Sequence, residues 1–138
     1  MIGLALQRHR CVSLLPLAAA AHERLDDFFA VECRAADECL PDDTAALIVS
    51  SGILTGLCHG RVPVGVQSVT VVGDSVPAAF LDDMRRRRVL VTWPKVSDVE
   101  DEAQAMEVCQ DVLAAFGFGR LGARPRNVIN DELLCDCC

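Results

Sequence analysis

The chain has 138 residues, 51% hydrophobic, 24% charged and 4% aromatic, a balance that fits one globular domain over residues 1–138 and excludes a disordered tail protein. Thirteen basic against twenty acidic residues leave a formal net charge of -7, which opposes attraction to nucleic-acid phosphates or anionic lipid, so neither is an expected partner. No apolar run approaches the roughly 18 residues of a membrane-spanning helix, so no integral segment and no C-terminal membrane anchor are expected.

At the amino terminus, Arg8, His9 and Arg10 precede an apolar stretch from Cys11 to Ala21 that closes on four alanines. These are the parts of a secretory leader, but Pro16 splits the short apolar core, and the chain reads instead as a cytosolic one whose eight cysteines stay reduced. Cys33 and Cys39 then act as small apolar residues. Cys135, Cys137 and Cys138 lack the two-residue spacing and second ligand pair of a zinc site, so no metal is expected.

The spacing predicts an amphipathic helix over residues 17–40, with Leu25, Phe28, Phe29, Cys33, Ala36, Cys39 and Leu40 on one side and a stop before Pro41. Asp42, Asp43 and Thr44 are good starters for a helix from Ala45 to Leu54, whose apolar residues run nearly all round and imply burial on several sides. Residues 62–72 give conflicting signals. Val62, Val64, Val66, Val69, Val71 and Val72 are β-branched and the first three alternate as in a strand, yet Pro63 suits a first helical turn and a central helix would be apolar on every face.

Farther on, Asp82 and Asp83 can pair with Arg86 and Arg87 four residues later, which makes the run Arg85–Arg88 a solvated helix face. The clearest helix spans residues 98–116. Ser97 and Glu100 form a capping box, Val99, Ala103, Met106, Cys109, Leu113 and Phe116 recur at steps of three or four, and Gly117 supplies the stop.

Catalytic motifs are scarce. Gly117-Phe118-Gly119-Arg120-Leu121-Gly122 has the spacing of a dinucleotide loop but follows a helix instead of a strand, so no nucleotide cofactor is expected. His9, His22 and His59 belong to no paired-histidine motif, no Gly-x-Ser-x-Gly elbow occurs, and the chain reads as a non-enzyme.

Between two apolar segments lies Thr55-Gly56-Leu57-Cys58-His59-Gly60-Arg61. It resembles the first homology region of the Bcl-2 family, Asp-Gly-apolar-Asn-Trp-Gly-Arg, keeping both glycines, the apolar residue and the arginine and departing at Thr55, Cys58 and His59. Leu90-Val91-Thr92-Trp93 is similar to the opening of that family's second region. Cys33-Arg34-Ala35-Ala36-Asp37-Glu38 is similar to the third, with Glu32 at the leucine position.

The resemblance covers residues 20–118 and implies an all-α bundle around a buried central helix formed by the valine stretch. It implies a viral inhibitor of apoptosis in the host cytoplasm, peripheral at mitochondria through its partners, that sequesters the BH3 helix of pro-apoptotic proteins in an apolar groove. On that reading Arg61 pairs with the ligand aspartate and Gly60 lets the ligand backbone approach, beside His59, Cys58 and Leu57. Ile48, Val49, Gly52 and Val64 are the candidate groove wall, and Phe28, Phe29, Ala36 and Leu40 candidates for the opposite one. No cofactor is implied, and homodimerisation stays open. The alternative is a small α/β domain with residues 62–72 as a strand, an enzyme or anion-binding module using Arg61.

Overall fold

The computed structural model describes residues 9–35, 39–56, 62–118 and 127–129. Five parallel strands, β1 (Arg10–Ser13), β2 (Ala30–Cys33), β3 (Thr44–Ser50), β4 (Ser68–Val72) and β5 (Leu90–Thr92), form one sheet in the order β2-β1-β3-β4-β5. Among the described residues four helices accompany them: α1 (Ala19–Asp26), α2 (Ser51–Gly56), α3 (Ala78–Arg87) and α4 (Glu102–Ala115). This is a doubly wound α/β arrangement. It overturns the all-α bundle implied by the Bcl-2 resemblance, and with it the BH3 groove, which needs packed helices where this chain has a sheet.

The apolar run Thr44–Ser50 shows why the helical reading failed. A central parallel strand covered on both faces is apolar on both, so it loses the alternation that marks a half-buried strand and reads as an all-round apolar helix. Here Ala46 and Ile48 join the core beneath α1 and α4, while Leu47 and Val49 join the core beneath α2 and α3. Only Ser51–Gly56 of the expected helix is helical.

Two other expectations are corrected. The long helix over 17–40 stops at Asp26, where the amides of Phe28 and Phe29 turn back to the carbonyl of Leu25 and the chain re-enters the sheet as β2. Cys33 and Cys39 are therefore exposed rather than part of a core, while Cys11 and Cys109 are the buried ones among the described cysteines. In the valine stretch the strand signal prevails, but only over Ser68–Val72. Val62 and Val66 are buried from a loop closed by a bond from the Val66 amide to the Pro63 carbonyl, and Val64 is fully exposed.

Helix α4 forms where periodicity placed it, and Gly117 follows it at φ +78°. Its cap is Asp101 rather than Ser97, since the Asp101 carboxylate accepts the Gln104 amide at 3.1 Å. Along α3 Asp83 pairs with Arg87 at the expected four-residue step, but Asp82 pairs with Arg85 and Arg86 with Asp83, each three residues apart. Leu90-Val91-Thr92, the second echo of the helical family, is β5. No helix among the described residues is long and apolar enough to cross a membrane.

Candidate functional site: the crevice at the carboxyl ends of the strands

Where β1 and β3 lie side by side, their onward connections part. The chain after β1 leads to α1 on one face of the sheet, and that after β3 leads to α2 on the other. Open α/β sheets leave a crevice at such a switch point. A cavity of about 380 Å³ lies here, lined by the segments that follow β1 (Leu15, Pro16), β3 (Ser50–Gly52) and β4 (Val72–Asp74), and by residues 97–100 before α4.

Each wall is fixed by short-range hydrogen bonds. The Ser50 hydroxyl accepts the Ile53 amide at 3.2 Å and so starts α2. The Ser51 hydroxyl donates to the Ser75 carbonyl at 2.6 Å and accepts the Ser75 amide at 3.3 Å, tying the β3 lip to the β4 lip. Gly73 lies between them at φ +138°, and a Cβ there would stand 2.2 Å from the Ser51 Oγ. Glycine alone accepts both the backbone angle and the approach. Its amide donates to the Val96 carbonyl at 2.8 Å, and its carbonyl accepts the Trp93 indole N–H at 2.9 Å.

The fourth wall is held from α4. The Gln104 side-chain oxygen accepts the amides of Ser97 and Asp98 at 2.9 and 3.1 Å, and the Val99 carbonyl accepts the Ala18 amide at 2.8 Å. Among the described residues, the lining includes three carboxylates, Asp74, Asp98 and Glu100, and no lysine, arginine or histidine. Among the described residues neither Ser50 nor Ser51 is bonded to a base: the Ser50 hydroxyl accepts the Ile53 amide and the Ser51 hydroxyl engages the Ser75 backbone. The buried thiols are no substitute. Burial pushes Cys11 up to about 12 and Cys109 up to about 11, which keeps both protonated at neutral pH.

Of the residues the sequence nominated, Gly52 alone among those described lines this crevice. Ile48 and Val49 are wholly buried and point to opposite faces of β3, so they cannot share a groove wall. Val64 is far from buried, at 101% relative exposure. Leu57, Cys58, His59, Gly60 and Arg61, together with Ala36, lie outside the described residues. Phe28 and Phe29 pack with Phe118 and Phe116 instead of facing a groove. What sequence reasoning missed is Ser50 and Ser51, beside the nominated Gly52, and Gly73-Asp74. Each is a small polar cluster directly after an apolar, β-branched run, the signature of a strand leaving the sheet toward a ligand crevice.

No protein-family model and no curated protein matches the chain. Among solved structures, similarity is found to one from Polaromonas sp. JS6 66 described as a D-isomer specific 2-hydroxyacid dehydrogenase, NAD-binding. The identity is 11% and the TM-score 0.49, over 62% of this chain and 30% of that one, so the chain spans under a third of that protein's length. At that level the likeness bears on no residue of the crevice. The sheet order and the crevice themselves define the class: a doubly wound α/β chain with a switch-point cavity.

Proposed function

We propose that this chain is a small-molecule binding module whose ligand sits in the switch-point crevice and is held without covalent catalysis. The observation that carries this reading is the cavity itself: about 380 Å³, within the range of compact ligand sites, at the place where doubly wound sheets bind ligands. The lining supports the class of ligand. Asp74, Asp98 and Glu100 line the site, with no lining cation among the described residues, so these carboxylates repel polyphosphates but not neutral or cationic polar molecules. The turn after β1, Leu14-Leu15-Pro16-Leu17, agrees, because it has no glycine through which a backbone could cradle a pyrophosphate.

The test is a titration of the isotope-labelled chain with three probe sets: neutral amides and polyols, primary amines, and nucleotide di- and triphosphates. Amide shifts at Gly52, Gly73, Asp74 and residues 97–100 are expected from the first two sets. Shifts elsewhere only, or a response confined to the nucleotides, would overturn the reading.

A further inference from the structure

Trp93 is the chain's single tryptophan and directly follows β5, outside the crevice lining. The residue is held from several sides. Its backbone amide donates to the Asn127 carbonyl at 2.8 Å, its ring packs against the core beneath α3, and the Lys95 Nζ stands 5.1 Å over the ring centroid. An indole can only donate, and here its N–H meets the Gly73 carbonyl at 2.9 Å.

That bond sets the orientation of the next peptide unit. The Gly73–Asp74 peptide is trans, so its N–H points opposite to its C=O. The indole takes the C=O from the end of β5, and the Asp74 N–H therefore turns toward β3 and the switch point. Without the indole this unit would be loosely set, because it follows a glycine at φ +138° with no Cβ to limit rotation. The amides on either side are already engaged, that of Gly73 by the Val96 carbonyl at 2.8 Å and that of Ser75 by the Ser51 hydroxyl at 3.3 Å. The Asp74 amide has no partner among the described residues, and Asp74 lines the cavity.

We propose that Trp93 is a positioning residue of the crevice, fixing the Gly73–Asp74 peptide so that the Asp74 amide meets a carbonyl oxygen of the ligand. The inference rests on the crevice being a ligand site, and it narrows the ligand to one with an uncharged carbonyl group, since the Asp74 carboxylate repels an anionic oxygen. An ammonium group has donors only, so it gains nothing from this amide and is held by the carboxylates alone. Hydrogen bonds on the two ends of one peptide unit polarise each other, so a carbonyl on the Asp74 N–H also strengthens the indole bond to Gly73.

The test changes one group. Because the chain holds a single tryptophan, growth on benzothienylalanine puts sulfur in place of this N–H and alters no other residue. N-methylacetamide and methylammonium are titrated into the wild type and into the sulfur analogue, with the crevice amides followed by NMR. In the analogue the affinity for N-methylacetamide should fall about 3- to 10-fold, the scale of one net hydrogen bond, while that for methylammonium should stay. Protein grown on fluorotryptophan keeps the N–H and should match the wild type with both probes. Equal losses for the two probes would mark Trp93 as structural only and overturn the proposal, as would an unchanged affinity for N-methylacetamide.

Should the sulfur analogue not fold, the wild type decides. Its indole N–H and Asp74 amide resonances should move downfield together as N-methylacetamide binds, and an indole resonance that stays while the Asp74 amide moves overturns the positioning. Crevice shifts with methylammonium and none with N-methylacetamide would keep the crevice as a ligand site and remove this inference alone. No crevice shift with any amide, polyol or amine would bring down the binding reading and this inference with it.

Discussion

The two ends of the sheet are built from different chemistry, although α1 and α4 run the full distance between them. At the carboxyl end the walls are serines, a glycine and carboxylates joined by hydrogen bonds, with the Ala18 amide on the Val99 carbonyl linking the beginnings of the two helices. At the amino end, where the same helices finish, Phe28, Phe29, Phe116 and Phe118 gather with ring centroids 5.0 to 6.4 Å apart, and Arg24 lies 5.3 Å over Phe28. These are four of the chain's five phenylalanines. Arg10 adds ion pairs there, to Asp43 at 2.8 Å and Glu32 at 2.9 Å, which hold β1 beside β2 and the entry to β3. The difference teaches a division of labour: apolar burial concentrated at one end stabilises the layers, leaving the other end free to be polar and concave.

The largest effect that can break this comparison is Phe29→Ala. Phe29 is wholly buried and meets Phe116 and Phe118 edge to face, so its loss should cost about 3 to 5 kcal/mol in urea unfolding. The crevice amides should keep their chemical shifts. If they move as much as those of Phe28 and Phe116, the two ends are one unit. Gly73→Ala is the converse. Strain at φ +138° and a methyl against the Ser51 hydroxyl should cost about 1 to 3 kcal/mol, with shift changes concentrated at residues 50–52 and 96–99.

The thiols test the layer between the ends. Cys11 and Cys109 sit in the same core beneath α1 and α4, and burial raises both, with Cys109 adding to the rise at Cys11. The unfolded chain releases these protons near pH 9, the folded one only near 12 and 11. Folding therefore keeps its full contribution below pH 9 and loses it as pH rises toward those values, by about 1 kcal/mol per thiol at pH 10. Denaturation curves from pH 8 to 10.5 on the wild type and Cys11→Ala check this, and an unchanged slope in the variant would refute it.

Much of the local order was legible in the sequence, and the layer it belonged to was not. The periodicity read over residues 98–116 placed α4, whose start falls four residues later at Glu102, Gly117 marked its end, and the acid–arginine spacing gave one ion pair of α3, Asp83 with Arg87. The sheet was obscured because its central strands carry no alternation: Ala45 to Val49 are all buried. The edge strand β2 is masked differently, since Ala30–Cys33 continues the apolar spacing of α1 by chance. The site was lost with the sheet. Ser50-Ser51-Gly52 means a crevice lip only once Thr44–Ser50 is a strand, and a helix reading turns the same glycine into groove lining.

The smallest effect expected is also the sharpest test of the comparison. Gln104 stands in the first turn of α4; its amide takes the Asp101 cap and its side-chain oxygen holds the Ser97 and Asp98 amides of the crevice wall. Asp101→Ala removes only the cap and should cost about 1 kcal/mol. Gln104→Ala keeps the cap and frees two solvent-accessible amides, again about 1 kcal/mol or less, because water replaces much of what is lost. The two variants should thus be close in stability yet differ in the site. Hydrogen exchange at Ser97 and Asp98 should rise steeply in Gln104→Ala and only slightly in Asp101→Ala, while Phe116 and Phe118 at the other end of the same helix stay as in the wild type. Equal exchange in both variants would mean that the crevice wall is held by helix α4 as a whole, and the hydrogen-bonded end would then have no autonomy from the aromatic one.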